Sequence, residues 1–224
     1  MATWLVTGAG RGIGLEFARQ LAARGEKVIG TARRPEEATK LRALGARVES
    51  LEVGDPASIA ALASALRGTP IDVLVNNAGT GGSGAGLGKL EAGDLARYFA
   101  INATGPLLVT QALLGNLEAG SRKLVASITS RMGSIDDNGS GSYYGYRASK
   151  AALNMVNRSL SIDLRGKGFT CVVLHPGWVR TDMGGSSAPL SPEDSVRGLL
   201  KVIDGLTPER SGSFLDHTGA TIPW

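Results

Sequence analysis

A tyrosine stands four residues ahead of a lysine in Tyr146-Arg147-Ala148-Ser149-Lys150, at the start of an amphipathic stretch. On a helix, residues at i and i+4 share a face, so the Lys150 ammonium can approach the Tyr146 hydroxyl. A nearby cation favours phenolate and pulls a tyrosine pKa down from about 10 toward working pH. A phenol tuned in this way is a general acid or base, typically contributing about 10²–10⁴-fold in rate. The spacing alone also describes many surface helices. What decides between the two readings is whether the rest of the chain brings further reactive groups to the pair.

A second set of residues suits phosphate. Thr7-Gly8-Ala9-Gly10-Arg11-Gly12-Ile13-Gly14 follows a strand-like run and leads into an amphipathic stretch with Ile13, Phe17 and Leu21 on its apolar side. Glycines permit a tight turn and close backbone approach, and a helix N-terminus offers unpaired N–H groups to a pyrophosphate. No Gly-Lys-Ser/Thr follows, which disfavours a nucleotide triphosphatase loop. After the next strand, Gly30-Thr31-Ala32-Arg33-Arg34-Pro35 lacks the acidic residue that would bind a ribose 2′-hydroxyl. A guanidinium binds phosphate through planar, charge-assisted bonds, so Arg33, with Arg11, favours a 2′-phosphate and NADP(H) over NAD(H).

These residues need a frame. Strand patterns fall near 3–7, 27–31, 47–53, 71–75, 123–128, 169–174 and 212–216, and helical patterns near 12–24, 35–44, 56–67, 91–118, 146–165 and 192–204. Strict alternation predicts an α/β fold: a doubly wound, Rossmann-type parallel sheet of about seven strands, flanked by helices, in one domain spanning 1–224. Ligands bind beyond the carboxyl ends of such strands, which points to the loops 79–90, 131–145 and 176–192. With 42% hydrophobic and 20% charged residues, the 224-residue composition is that of an ordinary globular protein. The net charge of +4 is spread along the chain without a basic aromatic motif, against nucleic acid as a partner. There is no apolar run of about 18 residues and no leader pattern, so the expected location is cytoplasmic, away from membranes. Cys171 reads as a packing residue in a buried strand, and neither His175 nor His217 has metal-ligand spacing, so no metal is expected.

Together the motifs resemble the short-chain dehydrogenase/reductase superfamily from end to end. They are Thr7-Gly8-x3-Gly12-x-Gly14, Asn76-Asn77-Ala78-Gly79, Asn102, Ser130, Tyr146-x3-Lys150 and Pro176-Gly177. Thr129-Ser130-Arg131-Met132-Gly133-Ser134 and His175-Pro176-Gly177-Trp178-Val179-Arg180-Thr181-Asp182 are similar to the C-factor branch, related to sniffer-type carbonyl reductases. The resemblance implies reduction of a small carbonyl compound, or oxidation of the corresponding alcohol. Tyr146 would give the proton, Lys150 would hold the nicotinamide ribose and lower the tyrosine pKa, and Ser130 would bond the same substrate oxygen. Asn102 would anchor a water that continues the relay from Lys150. Asn76, Ala78 and Gly79 would pack around the cofactor, with Gly8, Gly12, Ile13 and Gly14 at its pyrophosphate. Beyond Pro176-Gly177, Val179 and Thr181 would meet the carboxamide. A C-factor-like signalling or regulatory dinucleotide-binding protein with incidental turnover is the alternative.

Several positions depart from the family pattern. The gap from Ser130 to Tyr146 is long, which makes Ser134 a rival, although Ser130 lies closer to the strand end. Tyr143, two turns from Lys150, is expected to line the pocket and Tyr144 to point elsewhere. Where relatives carry an aspartate contacting adenine, this chain has Leu51-Glu52-Val53-Gly54-Asp55. Glu52 and Val53 are the substitutes, and Asp55 before Pro56 reads equally well as a helix cap. The stretch Ala151 to Leu164 reads as core or subunit interface, since relatives pair into homodimers or larger homo-oligomers through this helix and the one bearing Asn102.

Overall fold

In the computed structural model, which describes residues 1–82 and 86–224, seven parallel strands form one sheet in the order β3-β2-β1-β4-β5-β6-β7. They are β1 (Thr3–Val6), β2 (Lys27–Ala32), β3 (Arg47–Ser50), β4 (Val73–Asn76), β5 (Leu124–Ile128), β6 (Thr170–His175) and β7 (Phe214–Asp216). The order reverses between β1 and β4, and at this switch point the carboxyl ends of neighbouring strands open a crevice.

Alternation along each strand feeds two cores. Trp4 and Val6 of β1 pack on one face with Phe17 and Leu21 of α1 (Gly12–Ala23). Leu199 and Ile203 of α8 (Pro192–Asp204) complete that layer. Leu5 faces the other way, toward Ile59 and Leu62 of α3 (Pro56–Ala65) and Val109 of α5 (Gly105–Ala112). Strands covered on both faces read as continuous apolar runs because neither side chain parity meets water. Cys171 of β6 is fully buried in the second core, and burial pushes its thiol up to about 12, in keeping with a packing role.

Two expected helices are broken. The pattern over 35–44 splits into a 3-10 turn, Pro35–Glu37, and α2 (Thr39–Ala43). The long pattern over 91–118 divides into α4 (Ala92–Phe99), a π turn at Ala100–Thr104, α5, and α6 (Leu114–Glu118). Pro106 explains the π turn: it has no N–H for the carbonyl of Asn102 four residues back, so the ladder shifts and the Gly105 N–H reaches Ala100 instead. α7 (Tyr144–Asp163) carries Tyr146 and Lys150. Asp55 caps α3 by accepting from the Ala57 N–H at 2.9 Å, which realises the cap reading of that residue.

Candidate active site

The glycine loop is braced before any ligand is considered. Thr31 anchors it from β2, its Oγ1 accepting from the Gly8 N–H at 3.1 Å. Asn77 anchors it from β4, donating through Nδ2 to the carbonyls of Thr7 at 2.9 Å and Gly8 at 3.2 Å. The Thr7 hydroxyl in turn accepts from the N–H groups of Asn77 and Ala78, both at 3.0 Å. Gly14 is where the loop meets this brace: a Cβ there would strike the Gly8 carbonyl and stand 2.5 Å from Asn77 Nδ2. Ile13 sits half-buried beside it at the start of α1.

Asn76, expected against the cofactor, is instead 2% exposed and directed beneath the strand ends, donating to Thr110 at 3.2 Å and Ser127 at 3.5 Å. The pleat accounts for the difference. Adjacent residues face opposite ways as β4 ends, so only one of the two asparagines can reach the glycine loop. Val53 is buried, packed against Gly105 of α5, while Glu52 and Arg33 face each other at the rim with 3.9 Å between charged atoms. Arg34 pairs with Glu37 at 2.7 Å. Arg11 reaches across the crevice to Asp182 at 2.7 Å, both side chains about three-quarters exposed.

Ser130 lies two residues past β5 and caps a 3-10 turn, Arg131–Gly133, accepting from the Met132 N–H at 3.1 Å. It also lies beside the phenol of Tyr146 and favours its ionised form. Ser134, the rival, is taken up elsewhere: its hydroxyl donates to the Trp224 carbonyl at 3.2 Å and accepts from the Asp137 N–H at 3.1 Å. Gly133 lets the turn lie on α7, because a Cβ there would stand 2.9 Å from backbone and side-chain carbons of Lys150. Sequence spacing supplies no sign of the Trp224 contact, which holds the segment after Ser130 from the far end of the chain. The backbone N–H groups of Ile135 and Asp136 both donate to the same carbonyl at 2.9 Å.

The Lys150 ammonium is buried and donates to the Ile128 carbonyl at 2.9 Å. Burial pushes it down from 10.5 to about 8, so it stays largely cationic at neutral pH. The expected drop in the Tyr146 pKa does not occur. Burial raises it, and the neighbouring Ser130 offsets only part of that rise. Desolvation dominates, while the Lys150 ammonium is turned to the Ile128 carbonyl.

Asn102, in the π turn, is fully buried, and its amide is saturated. Oδ1 accepts from the Thr80 N–H at 2.8 Å, and Nδ2 donates to the Thr80 carbonyl and the Ser149 hydroxyl, both at 3.0 Å. Gly79 lies between the two anchors: a Cβ there would be 3.3 Å from Asn102 Oδ1 and 3.6 Å from Lys150 Nζ. The first part of the glycine run is therefore seated. Ser83, Gly84 and Ala85, within the expected 79–90 loop, lie outside the described residues. Asn102→Ala should strand both backbone groups of Thr80 and lower the unfolding free energy by about 2–4 kcal/mol, read by urea denaturation.

The segment after β6 folds back on itself. Val179 bridges Leu190, and Trp178 Nε1 donates to the Gly184 carbonyl at 2.8 Å. Thr181 lies against Gly12, 3.5 Å from where a Cβ would stand, so this segment and the glycine loop wall the crevice together. Pro176 is held from α8 by the Ser195 hydroxyl at 2.6 Å, and Gly177 has a left-handed backbone with φ of 85° against His217. Burial pushes His175 down to about 4, which keeps it neutral. Tyr143 and Tyr144 both line the cleft containing Tyr146. Tyr144 was expected to point elsewhere, but α7 starts only at Tyr144, and a left-handed Tyr143 (φ 52°) before it breaks the helical spacing.

The family model described as short chain dehydrogenase matches residues 2–190. Over 155 residues, 69% of this chain and 93% of the relative, the chain is 57% identical to the C-signal protein of Myxococcus xanthus. It is similar to the NADPH-bound carbonyl reductase from chicken fatty liver, with a TM-score of 0.93 and 36% identity over 100% of this chain and 99% of that one. The carbonyl reductase Sniffer of D. melanogaster aligns over 100% of both chains, with a TM-score of 0.95 and 30% identity. The C-factor and sniffer-type branches to which the motifs pointed are thus both among its relatives.

Proposed function

The chain belongs to the short-chain dehydrogenase family, and from that premise we propose that it is an NADP(H)-dependent carbonyl reductase in which Tyr146 gives the proton. The observation that carries this reading is the Tyr146 phenol beside Ser130 past the carboxyl end of β5, one helical turn from a buried Lys150 held by the Ile128 carbonyl. The crevice fits a dinucleotide: Gly14 lets the loop close against α1, and Gly79 leaves space beside Lys150 Nζ. When bound, the nicotinamide supplies or accepts the hydride.

This chain's residues supply positions and a proton. The N–H groups at the start of α1 would hold the pyrophosphate, and Arg33 would hold a 2′-phosphate. Tyr146 keeps its proton at neutral pH because burial raises its pKa, and gives it to the carbonyl oxygen as charge develops there. Ser130 bonds the same oxygen, and Lys150 anchors the ribose and opposes loss of charge balance when phenolate forms. The Asn102 side-chain amide is engaged by Thr80 and Ser149 and seats Gly79 near Lys150, while its main-chain carbonyl, which Pro106 leaves without a helical donor, is the group that would hold a relay water.

Arg33→Ala should weaken NADPH roughly ten- to hundred-fold, the scale of a charge-assisted bond, and leave NADH nearly unchanged. Fluorescence titration of both cofactors reads the ratio, and an unaltered preference removes Arg33 from the phosphate site. The similarity to C-signal supports a second reading, a regulatory dinucleotide-binding protein. Tight NADPH binding with no turnover over a panel of aldehydes, ketones and diketones would favour it.

A further inference from the structure

We propose that Tyr98 is a specificity-determining residue that sets the thickness of the substrate slot, so that carbonyl compounds flat around the reacting centre are preferred over puckered or branched ones. The inference rests on the carbonyl-reductase reading and deepens it. The chain has four tyrosines, Tyr98, Tyr143, Tyr144 and Tyr146, and all four line one cleft together with Leu90 and Leu95. The space between these side chains is narrow. Tyr146 forms part of its wall.

Tyr98 holds the slot thin because it touches two walls at once. On one side its ring abuts the start of α7, where a Cβ on Gly145 would stand 2.5 Å from Tyr98 Cδ2 and 2.9 Å from Leu95 Cδ2. On the other, its hydroxyl lies against Gly82, where a Cβ would overlap it. The neighbouring Gly81 is packed just as closely against Met183 of the segment after β6, 2.7 Å from Cγ to a would-be Cβ. Thr80 is pinned to Asn102 behind them. The wall after β4 is thus wedged between Tyr98 and Met183, with glycines at 82 and 145 giving the tyrosine its room and Gly81 making room for Met183. One aromatic side chain thereby sets the spacing between the residue preceding Tyr146 and the opposite wall. Aromatic walls also favour stacking on a planar ligand beyond simple area burial.

Acetophenone and cyclohexyl methyl ketone carry the same substituents on a flat and a puckered ring, and their intrinsic reactivities cancel when ratios are compared between variants. In Tyr98→Ala the preference in kcat/KM for acetophenone should fall about ten-fold, mainly through KM. Tyr98→Phe keeps the ring and should keep the ratio within about two-fold. NADPH affinity, measured alongside, should be unchanged in both. If the alanine variant does not retain NADPH binding, Tyr98→Leu, apolar but not flat, should show the same collapse of the ratio. A ratio within about two-fold of wild type in a variant that binds NADPH overturns the role of Tyr98. Binding of NADPH with no turnover by the wild type of either ketone or of the aldehyde, ketone and diketone panel would instead overturn the carbonyl-reductase reading, and this inference with it.

Discussion

Tyr146→Phe should lower kcat for carbonyl reduction by about 10²–10⁴-fold while NADPH binds as before. The substitution removes one oxygen, and the ring keeps its place at the start of α7. What disappears is the phenolic proton beside Ser130. The residual rate should come from cofactor placement and from Ser130 as a hydrogen-bond donor. The wild-type pH profile gives an independent check. Burial raises the Tyr146 pKa, so in the reductive direction the acid stays loaded through neutral pH and activity falls only as pH passes the raised value. Alcohol oxidation needs the phenolate and should climb over the same range. Single-turnover mixing of NADPH-loaded enzyme with a ketone separates chemistry from binding. A phenylalanine variant within about ten-fold of wild type in that step would assign the proton to another group.

The parts of this site visible in the chain are those whose logic is local. Alternating strand and helix patterns locate the sheet, a glycine loop after β1 marks the crevice, and Tyr146 and Lys150 share a helix face because they are one turn apart. What the chain conceals depends on partners distant in sequence. Asn77 and Asn76 are adjacent and chemically alike, and only the pleat at the end of β4 decides that Asn77 braces Gly8 while Asn76 turns toward Thr110. The π turn at Asn102 has a local sign, Pro106, but its consequence, an amide closed on Thr80 and Ser149, comes from contacts across 22 and 47 residues. Trp224 holding the segment after Ser130 spans 90 residues and leaves no pattern. The direction of the Tyr146 shift is hidden for a related reason. Helical spacing shows that a lysine is near, but not how far both groups are removed from water or that the Ile128 carbonyl has claimed the ammonium.

Lys150→Met should separate catalysis from stability, because the lysine is costly to the fold and useful only to the chemistry. Its pKa falls from 10.5 to about 8 through burial. In the unfolded chain the amine keeps its ordinary value, so between about pH 8 and 10.5 the unfolded state binds a proton that the folded state does not. Stability from this group therefore rises with pH across that window. Below it, the folded protein carries the buried cation and the full penalty, about 3 kcal/mol at roughly 1.4 kcal/mol per unit. Methionine has similar reach without the charge, though it leaves the Ile128 carbonyl short of one bond, worth about 1 kcal/mol. The variant should thus be about 1–2 kcal/mol more stable than wild type at pH 7, and the difference should disappear toward pH 10. Carbonyl reduction should fall at least about 10²-fold at the same time, since neither the ribose nor the nascent phenolate then faces a cation. Urea unfolding at several pH values, paired with kcat on the same preparations, tests both halves. A variant that is several kcal/mol less stable than wild type, with an unchanged pH slope, would identify Lys150 as a structural anchor instead.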